Sequence, residues 1–483
     1  MLTTLAAPAF ADIWHIEDGD ITVKASGTEG KNTVSQGNKK DVEDTDTIIT
    51  NRDKDTASSH TVTIETNDKN DKVEVTLKDV NIDTSSRNNA AVSVTGSGNT
   101  TIKLDGDNAL KSDTYRSGIY GSGSLTISGG ENDSLTAQGG SGADGIYSSG
   151  SLTISGGTVT ANGGSGGGGD GGDGIWSSGG VTISGGSTVT ANGGDGKDDY
   201  GGDGIRSDSG DVTISGGTVK AAGGDSKDGY GGDGIRSGGV TISGGTVNAA
   251  GGNGGKVGGY GICSFARVAI SGGTVNAAGG NGKNSNGGSD GIISNDIDLS
   301  GSLELTAKAG RPNGKAISWA GHELDLDTIK DKLGPGAKVT ATDANGETKQ
   351  VSSPIPRPVE PEEPEPVIPE ESSSSSDGGS ATPSAPASPL PGLTVTDKDG
   401  QRISYTSIRG NNVLSIRVGR FTASLRASLF TLRQLRAEGI DTITFQTILC
   451  STTLSVDELL AMGGEDAEAV LTHRFTDSSL TVG

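Results

Sequence analysis

Residues 203–224 contain a motif in three parts: Asp203-Gly-Ile205, then Val212-Thr-Ile-Ser-Gly-Gly-Thr-Val219, then Ala221-Ala-Gly-Gly224. Close copies of this motif fill the middle of the chain. Its central Ile recurs at steps of 27, 29, 31, 28, 28 and 29 residues, at Ile127, Ile154, Ile183, Ile214, Ile242, Ile270 and finally Leu299. Self-similarity at this period predicts a solenoid, in which each unit buries its apolar face by stacking on its neighbours.

Each repeat has the pattern of short strands separated by tight corners. Apolar residues alternate with Thr or Ser, as in Val181-Thr-Ile-Ser184, which is typical of a strand with one buried face. Gly-Gly pairs between the strands are expected to supply corners with positive φ. Three strands and three corners use about 28 residues, so we predict a mainly β chain built on a parallel β-helix of about ten coils, ~50 Å long at ~4.8 Å per coil.

Composition divides the chain into four segments. Residues 1–11 end in Ala-Phe-Ala, an A-x-A cleavage site, and are interpreted as the remnant of a signal peptide whose start lies upstream. Residues 12–352 form the β-helix, with irregular N-terminal coils, and residues 353–391 form a linker rich in Pro, Glu and Ser. Residues 392–483 are predicted to form a small α+β domain of unknown role.

The C-terminal segment has its own secondary-structure pattern. Leu425–Ala437 has helical spacing of its leucines, Thr442–Thr447 reads as a strand, and a second short helix begins at Val456.

Composition limits the class of partner. Net charge is −23 and the isoelectric point is near 4.5, which argues against nucleic acid because phosphate binding needs clustered Lys and Arg. Only Cys263 and Cys450 are present, so no disulfide framework is expected, and no apolar run is long enough for a transmembrane segment. Gly accounts for 83 of the 483 residues, but Val, Ile and Thr recur in register, which disordered Gly-rich chains do not show.

The early coils carry a specific resemblance. Val75-Thr-Leu-Lys-Asp-Val-Asn-Ile-Asp83, Ala90-Ala-Val-Ser-Val94 and Leu104-Asp-Gly-Asp-Asn108, followed by the Ile-Ser-Gly-Gly repeats, resemble secreted right-handed β-helix proteins of Gram-positive bacteria, usually named carbohydrate-binding domain-containing proteins. The likeness covers roughly residues 12–310. It implies a right-handed β-helix and sugar binding, without pointing to a binding residue. This chain has Asp-Gly-Ile-Arg-Ser where the family often has Ala-Gly-Ile-Gly-Gly, so ligand preference does not carry over.

A column of large side chains is predicted on the outer surface. A second series of isoleucines, each following Gly, is expected to point inward, so the next residue points outward. We predict a carbohydrate-binding stripe of rings and guanidinium groups, because rings stack on sugars and Arg binds carboxylates. Plain ladder stacking that stabilises the solenoid is the alternative. The stripe comprises Tyr120, Tyr147, Trp176, Arg206 and Arg236.

A column of carboxylates precedes the same isoleucines. Its members are Asp144, Asp173, Asp203, Asp233 and Asp290. Carboxylates at coil spacing are expected either to splay into water or to share Ca²⁺, and the spans 139–146 and 168–175 match the calcium nonapeptide G-G-x-G-x-D-x-U. A calcium roll repeats every nine residues, unlike this chain. No cofactor is required by the sequence, and calcium is a possible ligand.

Signs of catalysis are few. The four histidines, His15, His60, His322 and His473, are isolated, and no GxSxG, HExxH or P-loop is present. A uronate lyase would need carboxylates beside a basic residue, which the Asp-x-x-Arg pairs supply, but these pairs recur with the repeat. The C-terminal segment has seven arginines and no acidic residue between Asp399 and Glu438, which suggests either an anionic cell-wall polymer as partner or a solvated face.

These observations favour a secreted, extracellular, non-catalytic protein of the bacterial cell surface that binds a polysaccharide, with acidic polysaccharides among the candidates. A structural or adhesive spacer rod is the first alternative. A β-helix polysaccharide lyase is the second.

Overall fold

The computed structural model of the chain describes residues 12–26, 30–354, 393–397, 401–403, 405–410, 412–418, 420, 422–447, 451–462, 468–474 and 477–482. The chain divides into two compact units, Met1–Pro361 and Glu362–Gly483. The predicted signal-peptide remnant, Cys450 and all but the first two residues of the predicted linker lie outside the described residues.

The first unit is a parallel β-solenoid of about 13 turns, which confirms the predicted mainly β fold. The prediction of about ten coils was low, because the irregular N-terminal and C-terminal segments stack in the same sheets as the regular coils. The strands of the regular and irregular coils are β1 (Ile13–His15), β2 (Ile21–Ala25), β3 (Asn32–Gln36), β4 (Lys39–Asp44), β5 (Thr47–Thr50), β6 (Val62–Thr66), β7 (Lys72–Lys78), β8 (Asn81–Asp83), β9 (Val92–Gly96), β10 (Asn99–Asp105), β11 (Asp107–Lys111), β12 (Ile119–Gly121), β13 (Ser124–Ser128), β14 (Ser134–Ser141), β15 (Ile146–Ser148), β16 (Leu152–Ile154), β17 (Thr158–Gly164), β18 (Ile175–Ser177), β19 (Val181–Ile183), β20 (Thr188–Asn192), β21 (Ile205–Ser207), β22 (Val212–Ile214), β23 (Thr218–Ala222), β24 (Ile235–Ile242), β25 (Thr246–Ala250), β26 (Ile262–Ala278), β27 (Ile292–Lys308), β28 (Ile317–Trp319), β29 (His322–Glu323), β30 (Lys338–Thr342) and β31 (Thr348–Ser352).

Three parallel sheets run along the solenoid. Sheet I contains β2, β6, β9, β12, β15, β18, β21 and β28, sheet II contains β1, β5, β7, β10, β13, β16, β19 and β22, and sheet III contains β8, β11, β14, β17, β20, β23, β25 and β30. The long strands β24, β26 and β27 bend from one sheet into the next. Each coil therefore presents one strand to each sheet, and the loop from sheet III to sheet I is the longest corner.

The inward positions of all three sheets form one continuous core. In sheet II, Ile183 and Ile214 are register partners, and both are fully buried. In sheet III, Val189 pairs with Val219 in the same way. The alternation read from the sequence is thus confirmed, because neighbours such as Thr213 stay partly exposed.

Glycine has two different roles at the corners. In four Ser-Gly-Gly corners the second glycine has positive φ, as at Gly217 with φ +77°, which confirms the predicted role there; in the corner at 184–186 the first glycine, Gly185, has positive φ instead. In the corner between sheets III and I, glycine is required because the backbones of successive coils stack too closely to leave room for a side chain. A Cβ added at Gly202 would lie 1.9 Å from the carbonyl oxygen of Gly172 in the preceding coil. The prediction of positive φ was therefore wrong for these glycines. Their role is to leave room for the backbone of the neighbouring coil.

Antiparallel hairpins close both ends of the solenoid. At the N-terminal end β2, β3 and β4 form an antiparallel meander beside the first coils. At the C-terminal end β28 pairs with β29 and β30 pairs with β31, with a 3-10 helix at Leu326–Lys332 between the hairpins. These elements interrupt the parallel pattern where a stack of coils would otherwise leave unpaired strand edges.

The second unit is a small α+β fold with its own core. Its strands are β32 (Leu393–Thr396), β33 (Thr406–Gly410), β34 (Val413–Arg417), β35 (Thr422–Ser428), β36 (Thr442–Gln446), β37 (Ser451–Ser455), β38 (Glu468–Arg474) and β39 (Asp477–Val482). They form two four-stranded sheets, and two helices, α1 (Leu429–Ala437) and α2 (Val456–Met462), pack with them.

The first helix of this unit begins later than its leucine spacing predicts. Leu425 lies in strand β35, and α1 begins only at Leu429. Ser428 caps the helix, and its side chain accepts a hydrogen bond from the N–H of Thr431. The N-cap therefore decides the boundary, and Leu425 belongs to the sheet.

Candidate functional site: a groove beside sheet I

The five predicted sugar-binding residues lie at one register position of sheet I. Tyr120 pairs with Tyr147, Tyr147 with Trp176, Trp176 with Arg206, and Arg206 with Arg236. Each follows a buried isoleucine, so its side chain is directed outward. We call these residues the aromatic–arginine column. The structure places them in consecutive coils of sheet I, as the repeat spacing predicts.

The side chains of this column contact one another. The rings of Tyr120 and Tyr147 stack at 5.1 Å with an interplanar angle of 10°, and Trp176 meets Tyr147 edge to face at 5.1 Å. The Cζ atom of Arg206 lies 4.7 Å from the centre of the Trp176 ring, a cation–π distance. Large polarisable groups thus form a continuous strip over four coils.

Asp208 fixes the middle of the strip. Its Oδ2 accepts a hydrogen bond from Trp176 Nε1 at 2.9 Å, and its Oδ1 accepts one from Arg206 Nε at 2.9 Å. One carboxylate therefore orients both side chains and partly neutralises the guanidinium group. The sequence analysis did not single out Asp208, because no equivalent aspartate occurs in the neighbouring repeats.

The column changes character beyond Arg236. Cys263 occupies the next register position and is buried, and burial raises the pKa of its thiol to about 12. The guanidinium group of Arg236 lies over the ring of Phe265, with its Cζ atom 5.2 Å from the ring centre. The exposed strip of rings and guanidinium groups at this register position thus ends at Arg236.

The predicted aspartate column forms a hydrogen-bonded ladder at the sheet III to sheet I corner. The N–H of Asp173 donates to Asp144 Oδ1 at 2.8 Å, that of Asp203 to Asp173 Oδ1 at 2.6 Å, and that of Asp233 to Asp203 Oδ1 at 2.6 Å. Tyr260 N donates to Asp233 Oδ1 in the next coil. The same kind of hydrogen bond recurs at the sixth position of the column, where the N–H of Lys315 donates to Asp290 Oδ1 at 2.7 Å.

These carboxyl groups are buried. The five side chains are 5 to 9% exposed, so the expectation that they splay into water was wrong. The reason is that each aspartate satisfies a backbone N–H of the next coil, which draws the side chain under the corner loop. Because Asp residues in loops are usually solvated, the pattern of a single sequence did not reveal this bond.

Burial changes the acidity of the ladder. It raises the pKa of Asp144 to about 6 and that of Asp233 to about 8, in the latter case with a further contribution from the neighbouring Asp203 carboxyl group. Burial also raises the pKa of Asp173, Asp203 and Asp290. The Oδ2 atom of Asp233 is buried without a hydrogen-bond partner in the described part of the chain, and its nearest cationic group is Arg236 Nη1 at 3.7 Å.

The ladder does not converge on a metal centre. Among the described residues, no group of three or more His, Cys, Asp or Glu side chains is arranged to hold a metal ion. Each coil contributes one carboxyl group, and one of its oxygens already accepts a backbone hydrogen bond, whereas Ca²⁺ takes six to eight oxygen ligands. Calcium binding at Asp144, Asp173, Asp203, Asp233 and Asp290 stays a prediction, and any such ion would be held by the remaining Oδ2 atoms.

A second aromatic pair faces the column across the corner. Tyr200 and Tyr230 are equivalent residues of successive corner loops, and their rings stack at 5.0 Å with an interplanar angle of 15°. Both rings are exposed, and Lys256 Nζ lies 5.5 Å above the Tyr230 ring. The sequence analysis missed this pair, although the shared motif Tyr-Gly-Gly-Asp-Gly-Ile-Arg-Ser after each tyrosine was visible.

Residues of the column, the ladder and the tyrosine pair line two adjoining cavities. A groove of about 710 Å³ is lined by Trp176, Arg206 and Arg236 of the column, by Tyr200 and Tyr230, and by the ladder residues from Asp144 to Asp233. A second cavity of about 420 Å³ shares Gly142, Asp144 and Trp176 with it and contains Tyr120 and Tyr147. The structure thus brings the predicted sugar-binding residues and four of the five predicted aspartates together, and leaves Asp290 apart.

The groove is lined by groups that can bind sugars, and its carboxyl groups are its candidates for proton transfer. None of the residues that line it is a histidine. Of the Asp-x-x-Arg pairs, Arg236 approaches the carboxyl group of Asp233, but Arg206 pairs with Asp208 and, at 3.9 Å, with Asp173. The arginines are therefore already matched with carboxylates.

The arginines of the second unit are distributed over several strands and helix α1. Arg436 of helix α1 pairs with Asp457 and Asp441. Arg417 lies on β34 and Arg426 on β35, which belong to different sheets, and the side chain of Arg409 lies outside the described residues. Binding of an anionic polymer by this unit stays a prediction.

Comparison with known proteins identifies the repeat. A family model described as a beta helix repeat matches residues 152–175, 181–205, 212–235 and 240–262. Each matched stretch runs from a sheet II strand to the first residue of the next sheet I strand. Neither the curated proteins nor the solved structures contain a match. In the described ranges, no helix has the length and apolar character needed to cross a membrane. The matched repeats and the solenoid together support a right-handed β-helix protein.

Proposed function

We propose that the protein is a non-catalytic polysaccharide-binding protein that is secreted and acts at a bacterial cell surface. The observation that carries this proposal is the groove, which is lined by the partly exposed Trp176 of the stacked aromatic strip, by the exposed tyrosine pair, and by polar residues. Rings supply apolar contact area for the faces of sugars, and nearby polar groups orient the hydroxyls.

The length of the groove suits a polymer. From Tyr120 to Arg236 the column spans five coils, or ~19 Å at ~4.8 Å per coil. A sugar chain that follows the solenoid axis would meet rings at one end and guanidinium groups at the other. Contact positions in successive coils let one sugar chain bind several coils at once, which favours a polysaccharide over a small molecule.

The charges of the groove argue against nucleic acid. The residues that line the 710 Å³ groove include only two basic ones, Arg206 and Arg236. Arg206 already pairs with Asp208, and Arg236 lies 3.7 Å from the carboxyl group of Asp233. A phosphate backbone would find few free positive charges here.

The test is binding of the full chain to an array of neutral and acidic polysaccharides. Retention of at least one polysaccharide class, lost in a variant that combines Trp176→Ala with Tyr200→Ala, is the expected result. If the wild-type chain binds no glycan, the groove is not a sugar site. The structural or adhesive spacer rod then becomes the better explanation, since mutual stacking also stabilises the solenoid.

A uronate lyase is the second candidate, favoured by one observation. Asp233 has a pKa raised to about 8 and lies beside Arg236 in the groove, and shifted pKa values of this kind cluster at active sites. Incubation with polyuronates, followed by ultraviolet absorbance of unsaturated products, distinguishes the two functions. A binding protein leaves the absorbance unchanged, whereas a lyase raises it.

A further inference from the structure

The aromatic–arginine column has an open end at Tyr120. One face of the Tyr120 ring stacks on Tyr147. On the other side, its register partner in sheet I is Ser93, whose side chain is too small to cover the ring. The cavity of about 420 Å³ lies at this end and is lined by Ser93, Tyr115, Arg116 and Tyr120. We call it the end pocket.

Tyr115 brings a second ring to the end pocket at a cost in backbone strain. Its φ is +58°, a left-handed conformation that is uncommon for a bulky residue, and its side chain is 78% exposed. The ring lies against the next coil, because a Cβ added at Gly142 would be 3.4 Å from Tyr115 Cε1. Because the Tyr115 side chain is exposed, it buries little apolar surface and contributes little to stability. It does add aromatic surface to the end pocket.

Arg116 differs from the arginines of the main groove. It is exposed, and its Nε donates to Asn88 Oδ1 at 3.2 Å. Within the described part of the chain, no carboxylate lies within ion-pair distance of its guanidinium group, whereas Arg206 and Arg236 each have one. The fork of Arg116 is therefore able to bind an external anion without exchanging an internal partner.

We propose that the end pocket binds a single sugar ring that carries an anionic substituent. The ring stacks on the open face of Tyr120 beside Tyr115, and the anionic group pairs with Arg116. Asn89 and Ser117 also line the pocket and supply amide and hydroxyl groups for the sugar hydroxyls. This inference rests on the proposed function and deepens it, because it names the ligand chemistry and places the specificity at the Tyr120 end of the groove.

Two kinds of sugar carry such an anionic group: uronates have a carboxylate, and sulfated sugars have a sulfate. Guanidinium groups bind both bidentately, so the proposal covers both. Titration calorimetry of the full chain with short galacturonate oligomers, sulfated galactose oligomers and neutral galactose oligomers separates them. We expect measurable binding of at least one anionic oligomer, and weaker binding of the neutral one.

Three variants test the assignment. Arg116→Gln should weaken binding of the anionic oligomer about tenfold or more and leave the neutral oligomer unchanged, since a charge-assisted hydrogen bond is lost. Tyr120→Ala should weaken both. Tyr115→Gly removes a ring and relieves the positive φ, so it should weaken binding while the melting temperature stays equal or rises.

Trp319→Ala is the control, because this exposed tryptophan lines neither the end pocket nor the main groove. The proposal is overturned if Arg116→Gln binds the anionic oligomer like wild type, or if Trp319→Ala weakens it as much as Tyr120→Ala does. If long polysaccharides bind but no short oligomer does, the end pocket fails and the proposed function survives. If no glycan of any length binds, both fail.

Discussion

Two columns of sheet I lie one residue apart and behave in opposite ways. The inward column is nearly uniform and fully buried, with the members Ile119, Ile146, Ile175, Ile205, Ile235, Ile262 and Ile292. The outward column beside it changes from tyrosine to tryptophan to arginine to cysteine. Uniform residues reflect the demands of stacking, which are the same in every coil. Residues that vary at one register position give each coil its own surface chemistry.

The comparison separates stability from binding. The inward column should control the free energy of unfolding, and the outward column should control affinity for sugars. Substitutions in the inward column are therefore expected to change the free energy of unfolding, and substitutions in the outward column to change the affinity for sugars.

Ile214→Asp should have the largest effect. Ile214 is fully buried in sheet II, so the variant loses apolar burial and places an unpaired carboxylate in the core. We expect a loss of about 4 kcal/mol or more in the free energy of unfolding, measured by urea titration. Thr213→Asp, one residue away and partly exposed, is the matched control and should stay within about 1 kcal/mol. Similar losses in both variants would mean that inward and outward positions are not distinct.

Gly202→Ala tests the stacked corners. The added Cβ would lie 1.9 Å from the carbonyl oxygen of Gly172, so the backbones of two coils must move apart. We expect a loss of about 3 kcal/mol, which is typical of overpacking in a tightly packed interior. Gly186→Ala is the control, because nothing lies within 4 Å of its added Cβ. An unchanged unfolding midpoint for Gly202→Ala would contradict the steric role of this glycine.

The coil architecture was predictable because it depends on local patterns. Alternation in strands such as 181–183 fixes which side chains are buried, and the repeat period fixes which residues become neighbours. The register from Tyr120 to Arg236 followed from these two facts alone. The α+β character of the second unit was equally visible, apart from the boundary at Ser428.

The properties of the corners were not predictable in the same way. Burial of Asp203 depends on the N–H of Asp233, 30 residues later, and on how far the corner loop projects. The positions of Tyr200, Asp208 and Tyr115 likewise depend on the path of loops, and the alternation of residues in the strands does not predict how a loop projects. The groove residues that lie on strands could therefore be predicted from the sequence, whereas those that lie on loops could not.

Asp233→Asn tests the buried ladder through pH. An unfolded Asp titrates near 3.9, and burial raises the pKa of Asp233 to about 8. Between these values the folded state binds more protons than the unfolded state, so stability falls as pH rises through this range. At pH 9 the Asn variant should be more stable than wild type by ~1–3 kcal/mol, whereas at pH 4 the two should differ little.

Asp225→Asn is the control for this effect. Asp225 also accepts a backbone hydrogen bond from the next coil, from Asn253 N at 2.6 Å, but its side chain is exposed. Its substitution should leave the difference between pH 4 and pH 9 as in wild type. An equal response of both variants would show that the pH dependence arises elsewhere in the chain.

Trp176→Ala should have the smallest effect on folding and a clear effect on binding. Trp176 is partly exposed, and its loss removes the edge contact with Tyr147, the cation–π contact with Arg206 and the hydrogen bond to Asp208. Exposed contacts of these kinds contribute about 1 kcal/mol or less to stability, because water replaces them. A sugar stacked on this ring, by contrast, loses its main apolar contact, so affinity should fall by about 1–3 kcal/mol.

Trp319→Ala is the matched comparison for this variant. Trp319 is also an exposed tryptophan of sheet I, and its Nε1 donates to the carbonyl oxygen of Asn295 at 2.9 Å, but it does not line the groove. Affinity electrophoresis on the retained polysaccharide should therefore show normal mobility shifts for Trp319→Ala and weak ones for Trp176→Ala. If both bind like wild type, the aromatic–arginine column only stabilises the stack. If both variants lose affinity equally, the loss cannot be assigned to the groove, because Trp176 lines the groove and Trp319 does not.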